Sequence, residues 1–456
     1  MNQEMMKPFR PWLVDQPQLL PPSIQDLVPA GHLAHFVRDL VRYDLDLSAI
    51  LSSYGEVRGY PPFDPRMMTA LLLYGYSRGV YSSRVLARAC EERLDFMAVT
   101  AQNRPDFRTI AKFRRRHLEA LSGLFIQVLR LCQQAGLVEL GHVALDGTKM
   151  QANASKHKAM SYGRMKTREA ELAAEVEGWM KAAQDVDAKE DALFGDRRGD
   201  EMPEWVANKA KRREKIREAM AALEAEAQKE AKEAETEEKQ AVTEPAGKPK
   251  DKERRKSQGN PKGKPGMPPD KAQRNFTDPE SRIMKSRDGF LQGYNAQAAV
   301  DAKSQIIVAH GLTDCSSDCG QLVGMVDAVQ ANTGTHPTQL SADNGYCSEA
   351  NLQALEDRGI EAYIATGRHK HGKPAADGGK SKMSKTEEMR QRLRSDGFNS
   401  PYRLRKQTVE PVFGQIKHAR GFRQFLLRGL KQVTAEWAIL CTVHNFLKLR
   451  GSMSTA

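Results

Sequence analysis

The stretch His142-Val143-Ala144-Leu145-Asp146 marks the point at which the chain changes from one kind of secondary structure to another. Its residues alternate with period two and include strand formers, which predicts a β-strand. The residues before Gly141 instead follow the three- and four-residue spacing of helices. Because a strand needs neighbours, a sheet is expected to begin here.

Residues 1–140 are predicted to form an all-helical unit. Two segments, Arg66–Arg78 and Ser82–Glu92, carry apolar stripes and are separated by Gly79. Glycine adopts turn conformations at little steric cost, so a turn is expected there. Short helices with tight joints fit a helical DNA-binding domain. Further apolar residues at helical spacing are Leu33, Phe36, Val37, Leu40 and Val41, then Leu118, Leu121, Phe125, Val128, Leu129 and Cys132.

Residues 141–456 are predicted to form a mixed α/β domain, so that the whole chain is α+β. After the first strand, Tyr294–Val300 and Gln305–Ala309 read as a hairpin joined by residues 301–304. Strand and helix patterns then alternate, and residues 367–399 read as a polar, glycine-rich loop. The later elements are a helix over Gln321–Ala331, a strand over Thr338–Asp343, a helix over Glu349–Arg358, a strand over Ile360–Ala365, and helices over Tyr402–Arg420 and Thr434–Leu449.

A long insertion, about residues 160–275, separates the first strand from the second. Its first part, Arg164–Asp187 and Asn208–Gln240, is charged and favours solvated helices, which could form a helical hairpin. Its second part, Pro245–Pro269, is dense in Lys, Gly and Pro and has too few apolar residues to offset the entropy of ordering, which predicts disorder. No catalytic residue is assigned to this region.

The composition favours a polyanionic partner. The 456 residues include 70 Lys plus Arg and 58 Asp plus Glu, so the net charge is 70 − 58 = +12. A basic surface binds phosphate chains by releasing their counterions, although ribosome-bound and membrane-surface proteins share this feature. The 6 cysteines are too sparse for a disulfide framework and indicate a reducing cytosol. Met1–Arg10 lacks an apolar core, and no later run is long enough to span a bilayer, so neither export nor membrane insertion is expected.

Three acidic residues stand where a sheet could bring them together. Asp146 ends the first strand, Asp343 ends a later strand, and Glu410 lies at the start of a late helix. Carboxylates suit Mg²⁺, and a pair of such ions promotes phosphodiester chemistry. The alternative is that the two aspartates belong to ordinary turns and the glutamate is a solvated charge. Asp301, in the hairpin loop, is the nearest rival ligand, and a turn role is predicted for it.

A run of basic residues follows Pro105-Asp106, which is a good helix start. This pattern predicts a helix that contacts DNA. The alternative is a solvated basic face beside Ile110 and Phe113. The basic residues of the run are Arg108, Lys112, Arg114, Arg115 and Arg116.

Taken together, several motifs resemble the DDE transposases of bacterial insertion sequences, specifically the IS1182 group within the broader IS4 and IS5 type. No single motif is decisive, but their joint occurrence in this order is specific. The motifs in the helical part are residues 74–84 (YGYSRGVYSSR) and 105–117 (PDFRTIAKFRRRH). Those in the second part are residues 145–149 (LDGTK), 278–282 (DPESR), 293–297 (GYNAQ), 342–346 (ADNGY) and 409–417 (VEPVFGQIK).

The resemblance implies an RNase H-like catalytic domain in which Asp146, Asp343 and Glu410 hold two Mg²⁺ ions, for which Mn²⁺ can substitute. The implied reaction is hydrolytic nicking at the element's ends, followed by attack of the freed 3′-hydroxyl on a target phosphodiester. The implied partners are double-stranded terminal inverted repeats, target DNA and at least one further copy of the chain. Such a protein would work in the bacterial cytoplasm, on the nucleoid when bound.

The family type also resembles a Tyr, Arg, Glu, Lys signature around the glutamate. Lys417 has the expected offset of seven residues from Glu410, two turns along one helical face, whereas Tyr402 and Arg405 lie one residue farther away than the signature's spacing. Arg405 and Lys417 are predicted to contact DNA. Pro411 places Glu410 either near a helix N-terminus or within a kinked helix continuing from Arg403.

Two alternatives to a transposase follow from the same residues. A non-catalytic relative would bind DNA and act as a repressor of its own element. A nuclease of the same fold would cut DNA without joining it. Only a strand-transfer assay, or inverted repeats flanking the gene, distinguishes this nuclease from a transposase.

Overall fold

The structure is a computed structural model that describes residues 23–54, 61–194, 204–241, 266–286, 289–367, 384–397 and 400–453. It divides into two compact units, Met1–Ala120 and Leu121–Ala456. The first unit is helical in its described part, and the second contains a mixed sheet. The predicted α+β class is therefore confirmed at this level.

The first unit is built from short helices around an aromatic centre. The rings of Tyr74 and Phe96 meet edge to face with centroids 4.9 Å apart, and the Tyr74 hydroxyl donates to Asp95 at 2.6 Å. The helices are α1 (Leu33–Asp39, continued by a π turn over Leu40–Asp44), α2 (Ser48–Leu51), α3 (Pro65–Ser77), α4 (Ser83–Glu92), α5 (Leu94–Thr100) and α6 (Phe107–Arg116).

The division between the units falls near residue 120 instead of residue 140. Helix α7 (Leu118–Gln134) buries its apolar face within the second unit, where the ring of Phe125 meets that of His310 with centroids 4.5 Å apart. The Cys132 thiol also contacts the Asn445 carbonyl at 3.7 Å. Helical periodicity extends the first domain to residue 140 in the sequence, but packing assigns most of α7 to the sheet domain.

The strands of the main sheet are β1 (His142–Gln151), β4 (Arg282–Ser286), β5 (Gly289–Asp301), β6 (Ile307–Thr313), β7 (Gln339–Ala342) and β8 (Glu361–Ile364). They are arranged in the order β4-β5-β1-β7-β8, with β1 at the centre and β6 also paired to β5. Strand β1 is antiparallel to β5 and parallel to β7, so the sheet is mixed. The strands expected from period two are present, but β1 and β5 are both longer than predicted. The expectation that Asp146 ends the first strand is therefore wrong, because β1 continues through Gln151.

A second, two-stranded sheet closes the insertion at its base. Strands β2 (Ala159–Ser161) and β3 (Gln273–Asn275) pair antiparallel, so the chain enters and leaves the insertion side by side. Between them stand α8 (Tyr162–Phe194) and α9 (Glu204–Ala241), which contact each other. Their shared apolar core is formed by Tyr162, Met165, Leu172, Ile216, Ala219 and Leu223. The first part of the insertion is thus helical, as expected.

The remaining helices cover the sheet: α10 (Leu322–Thr333), α11 (Glu349–Asp357), α12 (Lys385–Asp396), α13 (Leu404–Gly414) and α14 (Leu430–Met453). The last helix docks on the core, where Trp437 donates to the Gln297 carbonyl at 3.0 Å. The Asn445 amide also donates to the Ile307 carbonyl at 2.8 Å and accepts from its N–H at 2.9 Å.

Helix α12 corrects one prediction. The sequence pattern predicts a loop over residues 367–399, yet Lys385–Asp396 is helical. Ser384 caps the helix by accepting from the Glu387 N–H, and acidic residues in the first turn favour the helix dipole. The helix buries only Met389, so it lacks the apolar period by which it would be recognised.

Two predictions fall outside the described residues. The predicted disorder of the Lys-, Gly- and Pro-rich segment concerns mostly residues 242–265, and much of the predicted glycine-rich loop concerns residues 368–383. Within the described part of the chain, no helix has both the length and the apolarity that crossing a membrane requires.

Asp301 has the structural role that the sequence favoured for it. It is 1% exposed, and its carboxylate accepts from the backbone N–H groups of Leu140 at 2.8 Å, Glu139 at 3.2 Å and Lys303 at 2.9 Å. The carboxylate therefore ties the start of β1 to the β5–β6 turn.

Replacing Asp301 with alanine is expected to lower the free energy of unfolding by about 1–3 kcal/mol, because three backbone N–H groups lose their buried acceptor. Asp327, half exposed and paired with Arg358 at 2.9 Å, provides the control, since Asp327→Ala breaks only a surface ion pair. Urea unfolding of both variants measures the difference. Equal losses would show that Asp301 does not organise this turn.

Candidate active site

Two of the acidic residues belong to adjacent parallel strands, because Asp146 lies on β1 and Asp343 directly follows β7. Leu145 pairs with Ala342, so Asp146 and Asp343 follow these partners at the same level of the sheet. Neighbouring strands are about 4.8 Å apart, which brings the two carboxylates to one place. Asp343 is half-buried and accepts from the Gly345 N–H at 2.8 Å, so it caps the short 3₁₀ turn Asn344–Tyr346.

Arg405 connects the third acidic residue to this pair. Its guanidinium donates to Asp146 at 2.6 Å and lies 3.7 Å from the Glu410 carboxylate. The Arg405 side chain is 10% exposed, and that of Glu410 is 53% exposed. The Arg405 guanidinium thus lies within the acidic site and does not point into solvent. Its positive charge balances part of the negative charge of the carboxylates.

Helix α13 continues through Pro411. Of the two sequence alternatives, the one in which the helix continues from Arg403 past Glu410 is therefore observed. Proline has no N–H, so it leaves the carbonyl four residues earlier without its helical partner. That carbonyl, on Gln407, accepts from the Gln305 side-chain amide at 2.8 Å instead. Glu410 therefore sits inside the helix, and a π turn over Gln415–Ala419 follows directly.

The site contains more negative charge than its single guanidinium balances. Burial raises the pKa of the Asp146 carboxyl to about 6; Arg405 opposes this shift, while the Asp343 and Asp318 carboxylates add to it. An oxygen-only donor set with excess negative charge fits a hard divalent cation. Among the described residues, however, no three acidic, His or Cys side chains already stand together as a complete ligand set.

Asp318 is a fourth acidic residue at this site, and sequence analysis missed it. One of its oxygens accepts from the amides of Asn295 at 2.6 Å and Gln297 at 2.8 Å, both wholly buried on β5. Residues 315–318 show neither the strand nor the helix period, so no sequence pattern marks this position. The only sequence signal that bears on it is the GYNAQ motif, which contains both amides.

Two glycines leave room for this arrangement. A Cβ atom on Gly147 would lie 2.4 Å from the Gln297 amide nitrogen and 2.7 Å from Asp318, distances that a side chain does not tolerate. A Cβ atom on Gly345 would lie 3.0 Å from Asp343 and 3.3 Å from Asp318. The Asp-Gly and Asp-Asn-Gly sequences thus permit close approach of carboxylates, beyond their ordinary use in turns.

Lys417 lies beside the first strand, near the acidic residues. Its ammonium donates to the Thr148 hydroxyl at 2.5 Å and to the Lys149 carbonyl at 2.9 Å. Burial lowers the pKa of Lys417 to about 8, and the nearby Arg423 and Lys149 charges act in the same direction. The ammonium is therefore protonated at pH 7. Its partners, Thr148 and Lys149, lie two and three residues after Asp146 in the sequence.

The basic residues of α6 separate into two groups. Arg108, Lys112 and Arg115 are exposed and lie on one face at helical spacing. Arg114 is 8% exposed, and its guanidinium donates to the Tyr76 hydroxyl at 3.2 Å and the Tyr81 carbonyl at 3.1 Å. This guanidinium therefore holds parts of the helical unit together. Arg116 is exposed but donates to the Ser53 carbonyl at 2.7 Å.

Comparison with known proteins gives matches at both ends of the chain. A family described as a transposase domain (DUF772) matches residues 22–116. A family described as a transposase DDE domain matches residues 378–450, which include Arg405, Glu410 and Lys417. A curated relative from Burkholderia cepacia, named as a transposase for insertion sequence element IS402, is 44% identical over 62 residues.

The alignment with the Burkholderia cepacia relative is short. It covers 12% of this chain and 29% of the relative, so the chain spans less than a third of the protein it matches. No solved structure matches the chain. The matches nevertheless lie in the helical unit and in the segment that carries Glu410. They confirm that the chain resembles the DDE transposases of insertion sequences.

Proposed function

We propose that this chain is an insertion-sequence transposase that cuts DNA at the ends of its element and joins them to target DNA. The proposal is carried by the placement of Asp146 and Asp343 directly after the paired residues Leu145 and Ala342 of two parallel strands, with Arg405 linking Glu410 to Asp146. This arrangement supports a cation site at which phosphodiester bonds are exchanged. The IS1182 group stays a prediction from the motifs.

In this proposal Asp146, Asp343 and Glu410 hold Mg²⁺, or Mn²⁺ in its place. When bound, a pair of such ions activates an attacking oxygen and stabilises a leaving one. Arg405 keeps the Asp146 carboxylate in place and neutralises part of its charge before a cation enters. Lys417, held against β1 and protonated at pH 7, supplies a positive charge for a DNA phosphate beside the acidic residues.

Recognition of the element's terminal inverted repeats is assigned to the helical unit. The exposed stripe Arg108, Lys112 and Arg115 on α6 is the part of the basic run that can reach DNA. Arg114 is left out of this role because its guanidinium is buried against Tyr76 and Tyr81. Arg116 is a weaker candidate, since it already has a backbone partner.

The fold of the second unit, the oligomeric state and the place of action follow from the resemblance and from the order of strands in the sheet. An RNase H-like fold for the second unit is supported by the central first strand, its antiparallel neighbour β5, its parallel neighbour β7 and an insertion between the first and second long strands. Bringing two element ends together requires at least a dimer. The work would take place on the nucleoid, in the bacterial cytoplasm.

Cleavage and joining of a labelled duplex carrying the element's terminal repeat tests the proposed reaction. Asp343→Asn keeps an oxygen that can accept from Gly345 but removes the charge, so product formed with Mg²⁺ should fall more than about 100-fold, since even outer-shell partners of metal ligands are worth 10- to 100-fold. EDTA should abolish product from the unchanged chain.

The products of this assay distinguish the competing functions. Joined strands support a transposase, whereas cut strands alone support a nuclease of the same fold. A folded, DNA-bound chain that gives no product with Mg²⁺ or Mn²⁺ would favour the repressor-like alternative. Full activity of Asp343→Asn would remove this residue from the site.

Replacing Arg108 and Arg115 together with glutamine is expected to weaken binding to the terminal repeat. Each lost phosphate contact should also reduce the slope of log affinity against log salt by about 1, hence by about 2 for the pair. Arg88→Gln is the control, because Arg88 is also an exposed arginine of the same unit, on α4, with Glu92 as its partner. Titration at several salt concentrations measures both quantities, and an unchanged slope would make the α6 stripe a solvated face only.

A further inference from the structure

Asp318 is built into the same end of the sheet as the three acidic residues, although no motif of the resemblance contains it. It follows β6 and directly precedes the short 3₁₀ turn Cys319–Gln321. Its Oδ1 atom accepts from the Asn295 and Gln297 amides, and the Lys149 ammonium lies 3.4 Å away. Three donors therefore fix one oxygen, and the carboxylate has a defined orientation.

The orientation places Asp318 between the residues that follow Asp146 and Asp343. Oδ1 lies 2.7 Å from the position of a Cβ atom on Gly147, and Oδ2 lies 3.3 Å from that of a Cβ atom on Gly345. The same Gly345 position is 3.0 Å from Asp343 Oδ1. Asp318 thus lies beside both carboxylates of the sheet.

The side-chain amide of Asn295 gives independent support for a bound group at this place. Its Oδ1 atom is wholly buried and has no hydrogen-bond partner within the part of the chain that the structure describes. This atom lies 3.0 Å from the same Gly147 position. Buried acceptors are almost always partnered, so an unpaired carbonyl oxygen beside these carboxylates points to a cation or a donor that completes the site.

We propose that Asp318 is a fourth carboxylate of the cation site, which strengthens the binding of a divalent cation by its negative charge. The inference rests on the proposed function, because Asp146 and Asp343 must hold that cation. In the alternative, Asp318 only fixes the Asn295 and Gln297 amides. Asp318→Asn separates the two roles, because it keeps an oxygen acceptor of the same shape and removes the charge.

Thermal unfolding of the full-length chain, measured at increasing Mn²⁺ concentration, tests this role without any DNA substrate. A cation that binds only the folded state raises the midpoint temperature. Asp318→Asn should need about 10-fold more Mn²⁺ for half of the effect, comparable with the loss of an outer-shell partner. Asp327→Asn, which removes an equal charge from α10, should behave like the unchanged chain.

The remaining outcomes decide between the two proposals. An unchanged Mn²⁺ response of Asp318→Asn, with a lost response of Asp343→Asn, would reject the role of Asp318 and leave the three-residue site standing. No response of the unchanged chain would reject both. If Asp318→Asn does not fold without metal, Asp318→Ser provides a second uncharged variant and is judged by the same 10-fold criterion.

Discussion

The site and much of the second unit depend on one strand that is hydrogen-bonded on both sides. Strand β1 pairs with β5 over nearly its whole length and with β7 over its first residues, His142–Leu145. Asp146 comes directly after the last residue paired with β7, so it lies level with Asp343, which follows the end of that strand. The insertion leaves from the far end of β1, beyond Gln151. A break in this pairing would therefore displace the acidic site and the base of the insertion together.

The second constraint is charge. A sheet that brings Asp146, Asp343 and Asp318 together accumulates like charges in a partly buried place, which is unfavourable unless positive charge balances them. Arg405, which pairs with Asp146, and Lys149, which pairs with Asp318, do so only in part, since Asp146 keeps a pKa raised to about 6 by burial and its acidic neighbours. Buried ion pairs contribute little net stability because desolvation opposes them. The pair between Arg405 and Asp146 is better understood as a contact that sets the position of α13, and with it Glu410, against the sheet.

The sequence predicted the features that repeat along the chain and missed those that arise from packing. Period two identified β1 and the β5–β6 hairpin, and helical spacing identified α3, α4 and α7, because burial on one face leaves a regular pattern. Helix α12 buries almost nothing and leaves none. Asp318 and the burial of Arg114 depend on segments distant in the chain, Asn295 and Gln297 in one case and Tyr76 and Tyr81 in the other. The unit boundary was displaced for the same reason, since a helix pattern does not say which core the helix joins.

The central claim is that the carboxylates of Asp146, Asp343 and Glu410 hold divalent cations. Crystals of the full-length chain grown with Mn²⁺ and the element's terminal repeat would test it most directly through anomalous scattering. Anomalous peaks are expected within about 2.0–2.6 Å of carboxylate oxygens of Asp146, Asp343 and Glu410, the range for hard cations bound by oxygen. Peaks bound only elsewhere, with the Arg405–Asp146 ion pair intact and Asp343 facing solvent, would contradict it.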